Sequence, residues 1–346
     1  MRRAIVALLS TLMGIGPLLI GGAAFGGTAL AASCVDAGTS GMTAAIVANS
    51  GDMITGTIDA TGCDIGVYIG SDATWVMVDG ATINGATLHG VFAQDTSHVT
   101  VQNSNVSNNA PDEIFPETKA IQLTGTSFSV IQNNVVNNNG GGGIAVTDDG
   151  ALVLPDPNDD TQTVSINPGG PVPGMASPGN SNRILNNWIQ DNTNGCGIVV
   201  SAYIPGEGVS FNYISGNTVI NNPAGIVIAA DMPDTTVHEN TASFNTSYGS
   251  GFADMIVHSN APGDVVTNTH ILFNWLGSDM ASHPGIGTII GAEAPGAVLT
   301  GTTLVGNHVT NEEIGLALNG VNGLHSLGNK YTNVGVIVGP EPSEEQ

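Results

Sequence analysis

Positive charge is nearly absent from this sequence. Five lysines and arginines stand against 29 acidic residues, for a formal net charge of −24 at pH 7. Two of the five, Arg2 and Arg3, sit at the extreme N-terminus, leaving Lys119, Arg183 and Lys330 for the rest of the chain. Nucleic acid and anionic membrane surfaces are held by clusters of basic residues, so neither is expected as a partner. Charged residues of both signs make up only 10% of the chain, against a usual quarter. The imbalance is therefore a shortage of base, and Asn, Thr, Ser and Gly must supply the wet surface. A polyanionic sugar would need calcium to bridge it to such a surface. Protonating carboxylates in acid would relieve the self-repulsion, which predicts a protein suited to acidic surroundings.

Cysteine is also scarce, and the count of three is odd. Cys34 and Cys63 flank the first part of the chain after the leader. A bridge between them would stabilise that end by about 3–4 kcal/mol on the loop-entropy model. Cys196 lies between Gly195 and Gly197 ahead of an apolar run, where it reads as a small inert core thiol. Long apolar stretches are missing except at the start. There Arg2 and Arg3, the apolar Ala4 to Ile20 and the small residues Ala29-Leu30-Ala31 form a secretory signal over 1–31. The tail over 340–346 is acidic and carries no anchor, so a secreted, extracellular protein with no membrane insertion after cleavage is expected. Helical patterns are nearly absent too, with Met42 to Ala48 the one candidate for a short capping turn.

What the chain does have is repetition. A hydrophobic–Asn–hydrophobic phrase can be aligned at Ser104, Asn134, Asn187, Asn217, Asn240, Asn274, Asn307 and Asn329. Three residues before each stands an apolar column that begins Val101, Ile131, Ile184, Ile214, and two after stands one that begins Val106, Val136, Ile189, Val219. A second register consists of glycine-led β-branched runs, among them Gly90-Val91-Phe92-Ala93, Gly143-Ile144-Ala145-Val146, Gly197-Ile198-Val199-Val200 and Gly225-Ile226-Val227-Ile228. Units that bury their apolar faces only on their neighbours make a solenoid. The spacings predict a coil of about 22 residues with variable insertions.

On these repeats the chain resembles the right-handed parallel β-helix proteins of the pectin-lyase-like superfamily. The resemblance implies an all-β, single-stranded parallel β-helix of about ten coils with an Asn ladder. The expected organisation is an N-terminal cap over 32–53, the β-helix over 54–339 and a Pro-rich insertion over 147–181. It also implies polysaccharide-active relatives: lyases, hydrolases and epimerases. Lyase chemistry needs an arginine or lysine base beside calcium-binding aspartates, and three scattered basic residues do not supply it. Of the hydrolase elements only Asp148-Asp149 is a partial match.

Stacking the glycine-led strands puts Asp149, Asp231 and Glu293 at one offset, with His258 near it. Asp149 and Asp231 would then lie on coils two apart, roughly 9–10 Å from each other, a separation suited to an inverting acid/base pair. These two, with His258 assisting, are the catalytic candidates for hydrolysis of a neutral glycan. Asp254 with His258, and Asp279 with His283, are further candidate acid/base or metal pairs. Asp156-Pro157-Asn158-Asp159-Asp160 is oxygen-rich and could hold calcium, without the glycine and terminal glutamate of a helix-loop-helix site. The outward column Tyr68, Phe92, Gln122, Ala145, Val199, Val227, Ile256, Ile289, Ala317, Ile337 is unusually apolar. It suggests an exposed ribbon unless loops cover it. Two readings follow: an extracellular protein that engages polysaccharide, with hydrolysis as its chemistry, or a non-catalytic surface protein that docks a partner through this ribbon.

Overall fold

A computed structural model describes residues 33–38, 41–111, 118–149, 153–156, 159–165, 177–278 and 283–337. The expected signal segment, the side chains of the oxygen-rich 156–160 stretch, the Asp279–His283 pair and the acidic tail lie outside the described residues. Those described contain strands and turns and no helix. The stretch expected to form a capping turn is instead a strand, Thr43–Val47, paired antiparallel with Val35–Asp36 and parallel with Ile65–Ile69. Its β-branched Thr43, Ile46 and Val47 suit a pleated edge better than a helix.

From there the chain winds through stacked coils. An eleven-stranded sheet runs from Val35–Asp36 and Thr43–Val47 to Glu312–Asn319, and an eighteen-stranded sheet carries the next two sides. A five-stranded sheet is added from Gly208–Ser210 onward. Apart from that first pairing and one hairpin, every pairing is parallel and joins a strand to its counterpart one coil away, as Ile131 pairs with Ile184 and Ile184 with Ile214. The two apolar columns read from the sequence point inward. Ile131, Val136, Ile184, Ile189, Ile214 and Val219 are all at most 1% exposed, within one core that continues from Ala48 to Leu316. Each such side chain contributes about 1.5–3 kcal/mol of burial, the main force holding coil on coil.

The corners explain the polar column. At each, one residue takes a left-handed conformation and the next turns its side chain inward. At the second corner of the coil these inward residues are Ser104, Asn134, Asn187, Asn217, Asn245, Asn274, Asn307 and Asn329. Each Asn accepts the backbone N–H of the residue below, at 2.9–3.0 Å. The ladder thus satisfies backbone groups that a buried turn would otherwise orphan. Two further ladders exist. Ser129, Asn182, Asn212 and Asn240 line the first corner, and Asn109, Asn139, Asn192 and Asn222 the third.

The alignment by sequence therefore slips at one place. Asn240 belongs to the first-corner ladder, and Asn245 is the true successor of Asn217. With this correction the steps are 30, 28, 29 and 33 residues from Asn187 to Asn307, and 22 at the end. Val67 pairs with Val91 and Ile121 with Ile144, steps of 24 and 23, so insertions lengthen a short coil in the middle of the solenoid.

The leading glycines have a steric cause. A Cβ at Gly225 would stand 2.2 Å from the carbonyl oxygen of Asp254, and one at Gly143 2.3 Å from that of Gly197. The coils approach too closely there for any side chain. Cys34 and Cys63 are joined in a disulfide at the start of the solenoid. The apolar outward column is covered, which removes the exposed ribbon on which the docking alternative depended. Its members from Tyr68 to Ala317 are at most 8% exposed, and only Ile337 is open. From Ala145 to Ala317 it forms a second buried cluster, with Cys196 packed partly against it. It is not an exposed ribbon.

Candidate functional site

The eleven-stranded sheet ends in a row of acidic side chains. Thr147, Ser201 and Ala229 pair across three coils, so the chain leaves the sheet side by side at Asp148–Asp149, Ala202–Tyr203 and Ala230–Asp231. Ala230, Ser259 and Ala292 continue the register and set Asp231, Asn260 and Glu293 next to one another.

The structure brings Asp231 and His258 together. His258 Nε2 is 3.2 Å from Asp231 Oδ1, and its Nδ1 is 3.4 Å from Glu293 Oε1. Ser201 donates its hydroxyl to the other oxygen of Asp231, and the Asn260 amide donates to Glu293 Oε2 at 2.7 Å and accepts from His258 Nδ1 at 3.2 Å. Burial disfavours a charged imidazole, but two carboxylates hydrogen-bonded to it win, pushing the His258 pKa up to about 10. Burial likewise works to raise Asp231, and the bonds and charge of His258 outweigh it, leaving its pKa lowered. At neutral pH this is an imidazolium between two carboxylates. His258 cannot serve as a general base in that state; it keeps Asp231 ionised and fixed in place.

Asp149 does not join that group. It is fully buried, accepts the Gln94 amide at 3.1 Å, and its backbone N–H donates to Ser177 at 2.9 Å. Its carboxyl partner is Asp95, reached across Gly125, where a Cβ would lie 2.6 Å from both Asp149 Cβ and Asp95 Oδ1. Burial and the neighbouring Asp149 carboxyl together raise Asp95 to about 7. Two carboxyls this close share a proton, because both cannot ionise at acceptable cost. The adjacent Asp148 is also raised to about 7 by burial, although backbone N–H groups of Tyr203 and Ile204 bond it.

Asp254 is separated from His258. It occupies the glycine position of its coil, beside Gly225 of the coil below, and accepts from Ser247 at 3.3 Å. Burial raises its pKa well above the ordinary carboxylate value, against the hydrogen bonds from Ser250 and Ser247 that lower it. Among the described residues no group of three or more His, Cys, Asp or Glu is arranged to hold a metal ion. Asp95 was missed as a candidate by sequence reasoning. Its signal was available, since it follows the Gly90-led strand at nearly the offset that singled out Asp149 and Asp231.

A family model described as "Right handed beta helix region" matches residues 27–158. No curated protein matches the sequence. Among solved structures, the surface adhesin PfbA of Streptococcus pneumoniae is similar in two forms. One shares 12% identity over 80% of this chain and 64% of its own, with a TM-score of 0.50. The other shares 10% identity over 88% and 92%, also at 0.50. The A-module of the mannuronan C-5 epimerase AlgE4 of Azotobacter vinelandii follows at 14% identity over 86% and 79%, with a TM-score of 0.49. The chain thus spans less than two thirds of the first adhesin structure's length. It has the right-handed parallel β-helix fold. At these identities the likeness defines the fold alone.

Proposed function

We propose that this is a secreted β-helix protein that engages an extracellular polysaccharide along the acidic edge of the eleven-stranded sheet and hydrolyses a glycosidic bond there. One observation carries the reading: Asp95, hydrogen-bonded to Asp149, is pushed up to about 7 by burial and by that carboxyl, while Asp231, two coils beyond Asp149, is kept ionised by His258. Hydrolysis with inversion needs this division. The pair gives its proton to the leaving glycosidic oxygen as the C–O bond breaks. Asp231 takes a proton from the water that forms the new C–O bond. A strand spacing of about 4.8 Å puts the two coils roughly 9–10 Å apart, leaving room for that water. The disulfide Cys34–Cys63 supports an oxidising, extracellular setting.

The test is reducing-sugar release from a panel of neutral and acidic polysaccharides by the full chain and by Asp149→Asn, Asp95→Asn and Asp231→Asn. Release that falls at least 100-fold in Asp231→Asn is expected (about 2.7 kcal/mol of transition-state stabilisation). No release from any substrate, or undiminished release by the variants, would overturn the hydrolase reading. A non-catalytic surface protein is the second reading. The burial of the apolar column means that such a protein would have to bind elsewhere, and exposed aromatic rings on the corners favour one place.

A further inference from the structure

We propose that the face between the first and second corners of the coil is a separate, non-catalytic binding surface for a neutral polysaccharide. It rests on the glycan reading above and lies around the helix from the acidic edge, with the five-stranded sheet between them. Its rim is made of aromatic residues in places that do not favour them. Trp75, Phe128, Phe211, Phe244 and Phe273 all stand at φ between 55° and 61°, where Asn or Gly occupies many neighbouring coils. Left-handed backbone is strained for such side chains. Burial does not repay the strain, because Trp75 is 66% exposed and Phe244 61%. Residues that gain little from the core yet recur at strained, exposed positions point to a use outside the fold.

The rings are also stacked on one another while remaining exposed, Phe244 at 61% and Phe273 at 51%. Phe244 and Phe273 stack at 5.4 Å with 13° between their planes, so their faces look along the helix axis. Phe273 in turn leans over Gly306, where a Cβ would lie 2.4 Å from its ring. The residue beneath Phe244 in the same column is Gly216, whose N–H bonds the carbonyl of Ser243 and which brings no side chain. Into the space a Gly216 Cβ would fill comes instead the amide oxygen of Asn186. Below Phe244, then, lies a hydrogen-bonding amide in place of a further ring. The second stack has the same plan, with Trp75 on His98 at 4.0 Å above Gly51.

The floor between the rims is polar. Tyr213 and Ser215 project from one coil, and the Ser243 hydroxyl reaches both at 3.0 and 3.2 Å. Arg183 lies one coil below, opposite Tyr213. Flat apolar faces beside hydroxyl, amide and guanidinium groups match the two sides of a sugar: axial C–H bonds and equatorial hydroxyls. The coil rise of about 4.8 Å is close to one hexose unit of an extended chain. A polyanionic sugar is disfavoured by the net charge of −24 and a floor with one fixed positive charge.

The test is affinity electrophoresis of the full chain in gels containing dextran, laminarin or galactomannan, with alginate and polygalacturonate as anionic comparisons. Retardation is expected in at least one neutral gel and in neither anionic gel. The double variant Phe244→Ala/Phe273→Ala should lose at least tenfold in affinity. Unchanged thermal unfolding of the double variant shows that it is folded, and Tyr213→Phe supplies a milder change with a smaller expected loss. No retardation in any neutral gel, equal retardation of the double variant, or retardation only by the polyanions would overturn the proposal. So would a dimer in sedimentation that the double variant abolishes, since the face would then belong to a second copy. Retention by a protein that releases no sugar sinks the hydrolase reading alone. Sugar release without retention sinks this surface alone.

Discussion

Replacing Asn217 with Ala tests the ladder at its centre. Asn217 is 1% exposed. Its Oδ1 accepts from the backbone N and the Nδ2 of Asn187, each at 2.9 Å, and its Nδ2 donates to Ile184 O at 2.9 Å and to Asn245 Oδ1 at 3.0 Å. Truncation leaves the Asn187 N–H without a partner where water does not reach, and removes the side-chain bonds to Ile184 O and Asn245 Oδ1. At about 1–3 kcal/mol for the buried N–H left unsatisfied and about 1 kcal/mol for the other bonds lost, the expected loss is about 2–4 kcal/mol. Asn329→Ala is the internal control. Asn329 ends the ladder at an exposed coil and still bonds Asn307 N and Leu304 O. Water can replace it there, and about 1 kcal/mol is expected. Urea unfolding followed by circular dichroism gives the comparison. Hydrogen exchange at Asn187 and Asn217 reports whether the damage is local, as nearest-neighbour stacking requires. A loss below about 1 kcal/mol for Asn217→Ala, or one no larger than for Asn329→Ala, would refute the argument.

Other consequences can be checked in the same way. Gly225→Ala should destabilise the chain by about 3 kcal/mol or more, because overpacking against a backbone carbonyl has no rotamer to relieve it; a melting temperature within a degree of the parent would contradict this. The His258 pKa is raised from 6.5 to about 10, so its contribution is complete below pH 6.5 and lost as pH rises through 10. His258→Gln should therefore cost most stability at pH 6, with the gap to the parent closing toward pH 10; a gap that widens would reverse the assignment. Asp148 is raised from 3.8 to about 7, so its contribution falls as pH climbs across that interval. Thermal melts from pH 4 to pH 8 should show the decline, and Asp148→Asn should flatten it.

The solenoid was legible because its physics is repetitive. Val101, Ile131, Ile184 and Ile214 are apolar for the same reason in each coil, and Asn134, Asn187 and Asn217 satisfy the same backbone groups. The slip at Asn240 shows the limit of that legibility. Two ladders use the same residue type a few positions apart, and only the pairing of Ile214 with Ala242 decides which asparagine continues which column. The candidate site was partly legible. The common offset of Asp149, Asp231 and Glu293 follows from strand register, which sequence spacing reports. That His258 reaches both Asp231 and Glu293 and that Asp149 turns to Asp95 depend on side-chain direction and burial. Spacing does not carry either.

The sequence by itself determined the parallel stack: inward columns, asparagine corners, glycines where coils approach, and a surface nearly free of basic charge. Each is a local requirement met afresh in every coil, and so it is written in the chain as a repeat. The tertiary structure alone decided which carboxyls keep a proton and that the apolar outward column is buried. It also left the aromatic rings of Phe244 and Trp75 bare. Those properties arise from what lies across from a residue in another coil. Neighbours 20 to 50 residues away along the chain, brought together by the winding, set the local dielectric, the hydrogen bonds and the exposure on which chemistry depends.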